Sequence, residues 1–211
     1  MNKNTQGRDV GLFGNPAGRV SRVRYIKGPD GVRGTGTYFY GRSNSYIQFR
    51  NTGLLDTKRS MTLIAWVKHQ GRSGPIFTYN PNGWGVHFWM VSARTLFIRF
   101  NRRGGHATKP LTVNIKRGRW QYVAATYNGR TGVAKLFLNN RFVRRRRIGR
   151  FKLATNQPVR MGAKNRDRRY FRGGISCMQI YSKALTRRSI VHLKKRCFLS
   201  KYLQISNLTN S

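Results

Sequence analysis

A chain of 211 residues with 38% hydrophobic and 12% aromatic content holds too much core material for a disordered basic tail. Its 43 Lys and Arg stand against four acids, none of them Glu, for a formal net charge of +39. Surface cations normally alternate with carboxylates, so this balance excludes an ordinary mixed-charge surface and points to a polyanionic partner or a high-salt medium.

The first 36 residues are Gly-rich and weakly patterned, and are expected to supply a terminal strand and loops joining the main body. Their opening, MNKNTQGRDVGLFG, has no apolar core of the kind a signal peptide needs. The protein is therefore expected to be intracellular, or a mature form with an added Met. No apolar stretch anywhere approaches the ~20 residues that cross a bilayer.

From residue 37 onward, short apolar segments are punctuated by Gly, Pro and Asn. The segments YIQF (46–49), MTLIAWVKH (61–69), GPIFTYN (74–80), WGVHFWMV (84–91) and TLFIRF (95–100) read as strands. WQYVAATY (120–127), AKLFLN (134–139), RFV (141–143), PVRMGA (158–163) and GGISCMQIY (173–181) continue the series. They are rich in β-branched and aromatic residues and recur at roughly ten-residue spacing, the signature of an antiparallel sandwich or barrel. YNGRTG (127–132) and LNNRF (138–142) carry the Asn and Gly that hairpin corners require.

After the RFV strand come Arg144, Arg145, Arg146 and Arg147 side by side. If the run is extended, Arg144 and Arg146 share one face and Arg145 and Arg147 the other. A two-layer sandwich cannot bury either pair uncompensated, so the run is expected to be an edge strand or a protruding loop. The one plausible helix is ALTRRSIVHLKKRC (184–197). Thr186 is its N-cap, Ile190, Leu193 and Cys197 fall on one face, and Lys194, Lys195 and Arg196 occupy the last turn. FLSKYLQISNLTNS (198–211) reads as a polar tail. One domain is expected: a joining segment over 1–36, an all-β antiparallel sandwich with its helix over 37–197, and the tail.

Signals of catalysis are missing. There is no G-x-S-x-G elbow, no P-loop and no dinucleotide fingerprint, and no cofactor is expected. Cys177 and Cys197 could form a metal pair, a reactive thiol pair or a disulfide, but His69, His87, His106 and His192 offer no zinc-like spacing beside them. GWGVHFWMV reads as sandwich core, with Trp84 or Trp89 stacking on a sugar ring as the alternative, and His87 as packed or hydrogen-bonded rather than catalytic. Asn207-Leu208-Thr209 matches the N-glycosylation sequon.

The stretches GRSNSYIQF, GLLDTKRSMTLIAWVKHQGRSGPIF, GRWQYVAATYNGRTGVAKLFLNNRFV and GRFKLATNQPVRMGAKNRDRRYFRGGISCMQIYSKALT together resemble the concanavalin A-like, laminin G-like jelly-roll domains of invertebrate secreted type. The resemblance covers about 37–197 and implies two antiparallel sheets, one of them concave, with binding work outside the cell or at its surface. It also implies a Cys177–Cys197 disulfide, stapling the helix to the last strand for about 3 kcal/mol in an oxidising compartment. Calcium-binding members use several carboxylate and amide oxygens, and glycan hydrolases of this fold class need two carboxylates. With Asp9, Asp30, Asp56 and Asp167 far apart in the chain and Glu absent, neither a metal site nor hydrolysis is expected.

The resulting expectation is a secreted, non-enzymatic, lectin-like protein whose cationic surface grips an acidic or sulfated glycan or an acidic glycoprotein coat. Recognition of an egg coat by a sperm protein is one such setting. The residues expected to carry binding are Arg141, Arg144, Arg145, Arg146, Arg147, Arg150, Lys152, Arg166, Arg168 and Arg169, through bidentate pairing with sulfate or carboxylate. Two alternatives stand beside it. One is nucleic-acid compaction by phosphate neutralisation. The other is disruption of anionic membranes, for which no exposed amphipathic face is evident.

Overall fold

The computed structural model describes residues 3, 6–9 and 14–206, with the backbone alone over 199–206. In chain order the strands are β1 (Arg19–Ser21), β2 (Val23–Ile26), β3 (Gly36–Tyr40), β4 (Tyr46–Phe49), β5 (Met61–His69), β6 (Gly74–Tyr79) and β7 (His87–Met90). They continue with β8 (Thr95–Arg99), β9 (Leu111–Asn114), β10 (Gln121–Asn128), β11 (Val133–Leu138), β12 (Arg141–Arg147), β13 (Val159–Met161) and β14 (Arg172–Tyr181), followed by the helix α1 (Arg187–Ser206). These form two seven-stranded antiparallel sheets, ordered β1-β4-β13-β6-β7-β8-β9 and β12-β11-β10-β5-β14-β3-β2.

The alternation that marked these segments as strands sorts their side chains between the sheets. Leu63, Ala65 and Val67 of β5, Val123, Ala125 and Tyr127 of β10, and Phe88 and Met90 of β7 all enter one core between the two layers. Burying a side chain of this size is worth about 1.5–3 kcal/mol, which is why register cannot slip without exposing a whole face. The opposite faces of β5 and β10 are buried as well. There Ile64, Tyr122, Ala124 and Phe137 pack with Ile190 of α1, and Trp66, Tyr181, Leu185 and Leu193 surround them.

Thr62 fixes where that helix starts: its hydroxyl donates to the Lys183 carbonyl at 2.6 Å and accepts from the Leu185 N–H at 3.0 Å. Thr186 caps α1 as expected, its hydroxyl accepting the Ser189 N–H at 3.2 Å. The helix does not stop at Cys197. No Gly or Pro interrupts residues 187–206, so it continues through Ser206, and the segment read as a polar tail from residue 198 is helical over that span. Lys194, Lys195 and Arg196 are therefore mid-helix, and Lys194 lies 5.0 Å over the Trp66 ring rather than against the last carbonyls.

Cys177 and Cys197 are joined in a disulfide, as the family resemblance implied. A one-residue bulge between Ser176 and Gln179 of β14 places the strand cysteine. With an extra residue there, Ile175 and Ile180 both keep to the core side, while Cys177, at φ +50°, turns toward α1.

Three further differences from expectation have local causes. The N-terminal segment supplies two short strands, and Arg22 at φ +37° breaks between them so that β1 joins one sheet and β2 the other. LTVN forms the edge strand β9; its two apolar residues stand between Pro110 and the basic loop Lys116–Arg119, which read as turn rather than strand. The strand expected over 141–143 continues through Arg147 as β12, because pairing with β11 carries it past the last apolar residue. No described helix is long and apolar enough to cross a membrane.

Candidate anion-binding surfaces

β12 is the terminal strand of its sheet, so the Arg144–Arg147 run is an edge strand, one of the two placements expected. Arg144 and Arg146 pair with Leu136 and Ala134, whose side chains enter the core, whereas Arg145 pairs with Lys135, which is exposed. The two faces of the edge thus both carry cations, and every residue of β12 is exposed except the half-buried Arg146. The ion pairs among the described residues are Arg103–Asp56 and Arg169–Asp167, so no β12 guanidinium has a carboxylate partner there.

The chain leaves β12 through Ile148–Lys152 toward the neighbouring end of the sandwich, and Tyr127 holds that path. Its hydroxyl accepts the Phe151 N–H at 3.0 Å and donates toward the Gly149 carbonyl at 3.0 Å. Its ring stacks between Phe100 and Phe151, at 5.7 and 4.9 Å, and burial pushes its pKa up. Gly132, at φ +70°, has to be glycine, because a Cβ there would also sit 2.7 Å from the Gly149 backbone.

Two more segments are tied to this one through backbone hydrogen bonds. Leu153 N–H donates to the Lys58 carbonyl, and Arg103 N–H to the Lys152 carbonyl, each at 2.7 Å. The result brings Lys58, Arg59, Arg102, Arg130, Arg150 and Lys152, all exposed, to one end of the molecule beside β12. Asp56 is the acid in this cluster, and it is held by Arg103 and by the Thr155 hydroxyl.

Arg166, Arg168 and Arg169 lie elsewhere. The end of their loop bonds to the β5–β6 corner, where Gln70 N–H reaches the Arg172 carbonyl at 2.9 Å, while Lys58 and Arg59 precede the other end of β5. Its start is held differently: Asn165, next to Arg166, donates its N–H to the Pro81 carbonyl at 3.0 Å and its amide to Asn82 at 2.5 Å. Nine residues of strand, about 30 Å at ~3.3 Å each, separate the two ends. Arg168 and Arg169 line a shallow pocket of about 340 Å³ with Arg72, Ser73 and Ser92. Asp167 accepts two hydrogen bonds from the Arg169 guanidinium, which holds its carboxyl below the usual range. The ten cations expected to act together are thus seven along β12 and its end, Arg168 and Arg169 at the opposite end, and Arg166 beside the Asn165 contact with Pro81 and Asn82.

The outer face of the sheet without the helix carries an aromatic row. Since Phe88 and Met90 point inward, His87 and Trp89 point out; their rings are 5.5 Å apart, and Trp84 continues the row at 5.6 Å from His87. The Arg169 guanidinium lies 4.7 Å over Trp89. Burial, followed by Lys164, Arg99 and Arg169, lowers the His87 pKa to about 4, with Asp167 opposing. The imidazole is neutral at physiological pH. GWGVHFWMV thus places Val86, Phe88 and Met90 in the core between the sheets, keeps His87 and Trp89 buried on the outer face, and leaves Trp84 57% exposed. His69 is wholly buried and structural: its Nδ1 accepts the Gly71 N–H, leaving Nε2–H for the Ile115 carbonyl.

Asn207 lies outside the described residues. Among those described, no three His, Cys, Asp or Glu side chains converge. Lys58, Arg59, Arg102, Arg103 and Arg130 went unmarked because they fall as two adjacent pairs and one single cation in three separate loops, none of them a run. Only their position between consecutive strands hinted that they could meet at a sandwich end.

A Laminin_G_3 family model, described as the concanavalin A-like lectin/glucanases superfamily, matches residues 41–191. Among solved structures, the binding domain of botulinum neurotoxin serotype G superposes with a TM-score of 0.71 at 12% identity, over 88% of this chain and 47% of that one. The binding domain of Paraclostridial mosquitocidal protein 1 superposes with a TM-score of 0.72 at 14% identity, over 88% of this chain and 48% of that one. This chain spans about half the length of those structures, and at such identity the likeness is one of fold. No curated protein sequence matches it.

Proposed function

The chain belongs to the concanavalin A-like lectin/glucanases superfamily, and from that premise we propose that it is a secreted, non-enzymatic binding protein. Its ligand is an extracellular polyanion, an acidic glycoprotein coat or a sulfated glycan, held along β12 and the adjoining cationic end. The observation that carries this reading is the absence of any described carboxylate opposite Arg141, Arg144, Arg145, Arg146 and Arg147, on a strand whose pairing fixes their spacing. Guanidinium forks set in a row can pair bidentately with sulfate or carboxylate groups, and the field of the whole molecule steers such chains toward them.

Each acid has a local structural task, which supports binding without catalysis. Asp30 accepts from Thr35 and from the Val32 N–H, Asp9 from Asn15, Asp167 from Arg169, and Asp56 from Arg103 and Thr155. The disulfide is consistent with an extracellular setting.

Elution from immobilised heparin tests the reading. Release is expected well above physiological ionic strength, about 0.15 M, and release below it would remove the polyanion. Changing Arg144, Arg145, Arg146 and Arg147 together to Ser should lower the elution salt while the unfolding midpoint holds. Nucleic-acid compaction would instead be favoured by free thiols in native protein and by tighter binding to duplex DNA than to heparin at equal salt.

A further inference from the structure

Beside the cationic end, the outer face of the helix-free sheet opens into a pocket of about 340 Å³ lined by Asn80, Trp84, Arg103, Ala154, Asn156 and Gln157. Trp84 stands at the end of the aromatic row and is 57% exposed, the largest exposure among the big apolar side chains of the described residues. An indole in solvent beside three carboxamides is an arrangement that core packing does not require. The side-chain amides of Asn80, Asn156 and Gln157 make no hydrogen bond among the described residues, so their donors and acceptors are available.

The segments presenting these groups are rigidly held. Asn80 adopts φ +53°, and its N–H donates to the Pro158 carbonyl at 2.9 Å while its carbonyl takes the Gly83 N–H at 3.1 Å. The Gly85 carbonyl accepts the Asn101 amide at 2.6 Å, and glycine is required there because a Cβ would meet the Tyr79 carbonyl oxygen at 2.6 Å. The Asn51 amide donates to the Thr155 and Gln157 carbonyls at 2.7 and 3.2 Å. Arg103 is held by Asp56 and by the Leu153 carbonyl, at 3.0 Å for the latter, so it forms a fixed positive wall.

We infer that this pocket is a saccharide subsite. One pyranose ring lays its apolar C–H face on the Trp84 indole, while its hydroxyls bond the carboxamides of Asn80, Asn156 and Gln157. A preformed aromatic plate with a few convergent polar groups suits such a ligand. Arg102 precedes Arg103 in its loop, and the Arg103 N–H is bonded to the Lys152 carbonyl, so anionic groups on neighbouring sugar residues reach the cationic end without leaving the surface. The ligand class is an acidic oligosaccharide, recognised by ring and by charge together; the charged half of this assignment rests on the polyanion reading above.

The test compares Trp84→Ala with the wild type and with the Arg144/Arg145/Arg146/Arg147→Ser variant, against three probes: a heparin-derived hexasaccharide, its desulfated counterpart made uncharged by N-acetylation and carboxyl reduction, and inorganic polyphosphate. Trp84→Ala should bind the sulfated hexasaccharide about tenfold more weakly with an unchanged salt dependence, and bind polyphosphate as the wild type does. The desulfated hexasaccharide should shift the Trp84 indole N–H resonance of the wild type, giving a readout independent of charge. If Trp84→Ala binds the hexasaccharide unchanged, or loses hexasaccharide and polyphosphate equally, the subsite is overturned, and the polyanion reading still stands or falls on the serine variant. If the wild type ignores both anions yet the desulfated probe shifts Trp84, the polyanion reading fails and the subsite survives.

Discussion

Two parts of a single sheet show opposite solutions to the same excess of charge. At its centre, β5 and β10 are buried on both faces, one against the opposite sheet and one beneath α1, with Tyr122 donating its hydroxyl to the Ile190 carbonyl at 3.0 Å. At its edge, two strands away from β10, β12 holds five arginines with no described carboxylate beside them. The difference teaches where a chain of this composition can keep its cations: the interior demands that charge be absent or neutralised, while an edge strand stays hydrated and also resists strand-to-strand aggregation. Buried packing and unneutralised charge are therefore assigned to different strands of one sheet.

That division can be broken most severely at the centre. Tyr122→Ala removes a ring 5.3 Å from Trp66 and the hydroxyl that anchors α1, and should cost about 4 kcal/mol, read from the denaturant midpoint. Changing Cys177 and Cys197 together to Ser frees α1 from β14 and should cost about 3 kcal/mol. A calorimetric scan of that variant should show the loss without altered heparin retention, because neither cysteine adjoins β12.

An intermediate case sits on the other sheet, at His87. Its pKa in the folded chain, about 4, is below the ordinary 6.5, so the unfolded chain binds the extra proton between those values. Stability is accordingly greatest above pH 6.5 and declines as pH falls toward 4, by about 2 kcal/mol at pH 5. Melting curves at pH 7.5 and 5 would check this, and His87→Gln should flatten the decline to what buried His69, whose pKa is also lowered, still contributes. The smallest effect on stability is expected at the edge: the four Arg→Ser changes in β12 should move the unfolding free energy by less than about 0.5 kcal/mol. A large destabilisation there would erase the contrast between centre and edge.

Particular residues show how far the sequence could be read. Met61–His69 and Gln121–Asn128 were legible because a long alternation of apolar residues has few other homes. The edge position of Arg144–Arg147 was legible because four adjacent guanidinium groups cannot be buried. Leu111–Asn114 was not, its two apolar residues being framed by Pro110 and a basic loop, and neither was the run of α1 past Cys197, where polarity outweighs the absence of a helix breaker from residue 198. Trp84 resembled its neighbours Val86, Phe88 and Met90 in composition, and only the turn at Asn80–Gly85 sends it out of the core.

Local pattern and charge, then, were enough to specify a sandwich of short antiparallel strands, a basic surface and a charged edge, because each follows from side chains within a few residues of one another. Tertiary structure alone decided that Lys58, Arg102, Arg130 and Lys152 share one end, that Arg168 and Arg169 belong to the other, and that Trp84 opens onto Arg103 and Gln157. The physical reason is strand order. Which loops become neighbours depends on how strands distant in sequence pair and on which layer they join, and no local window contains that pairing.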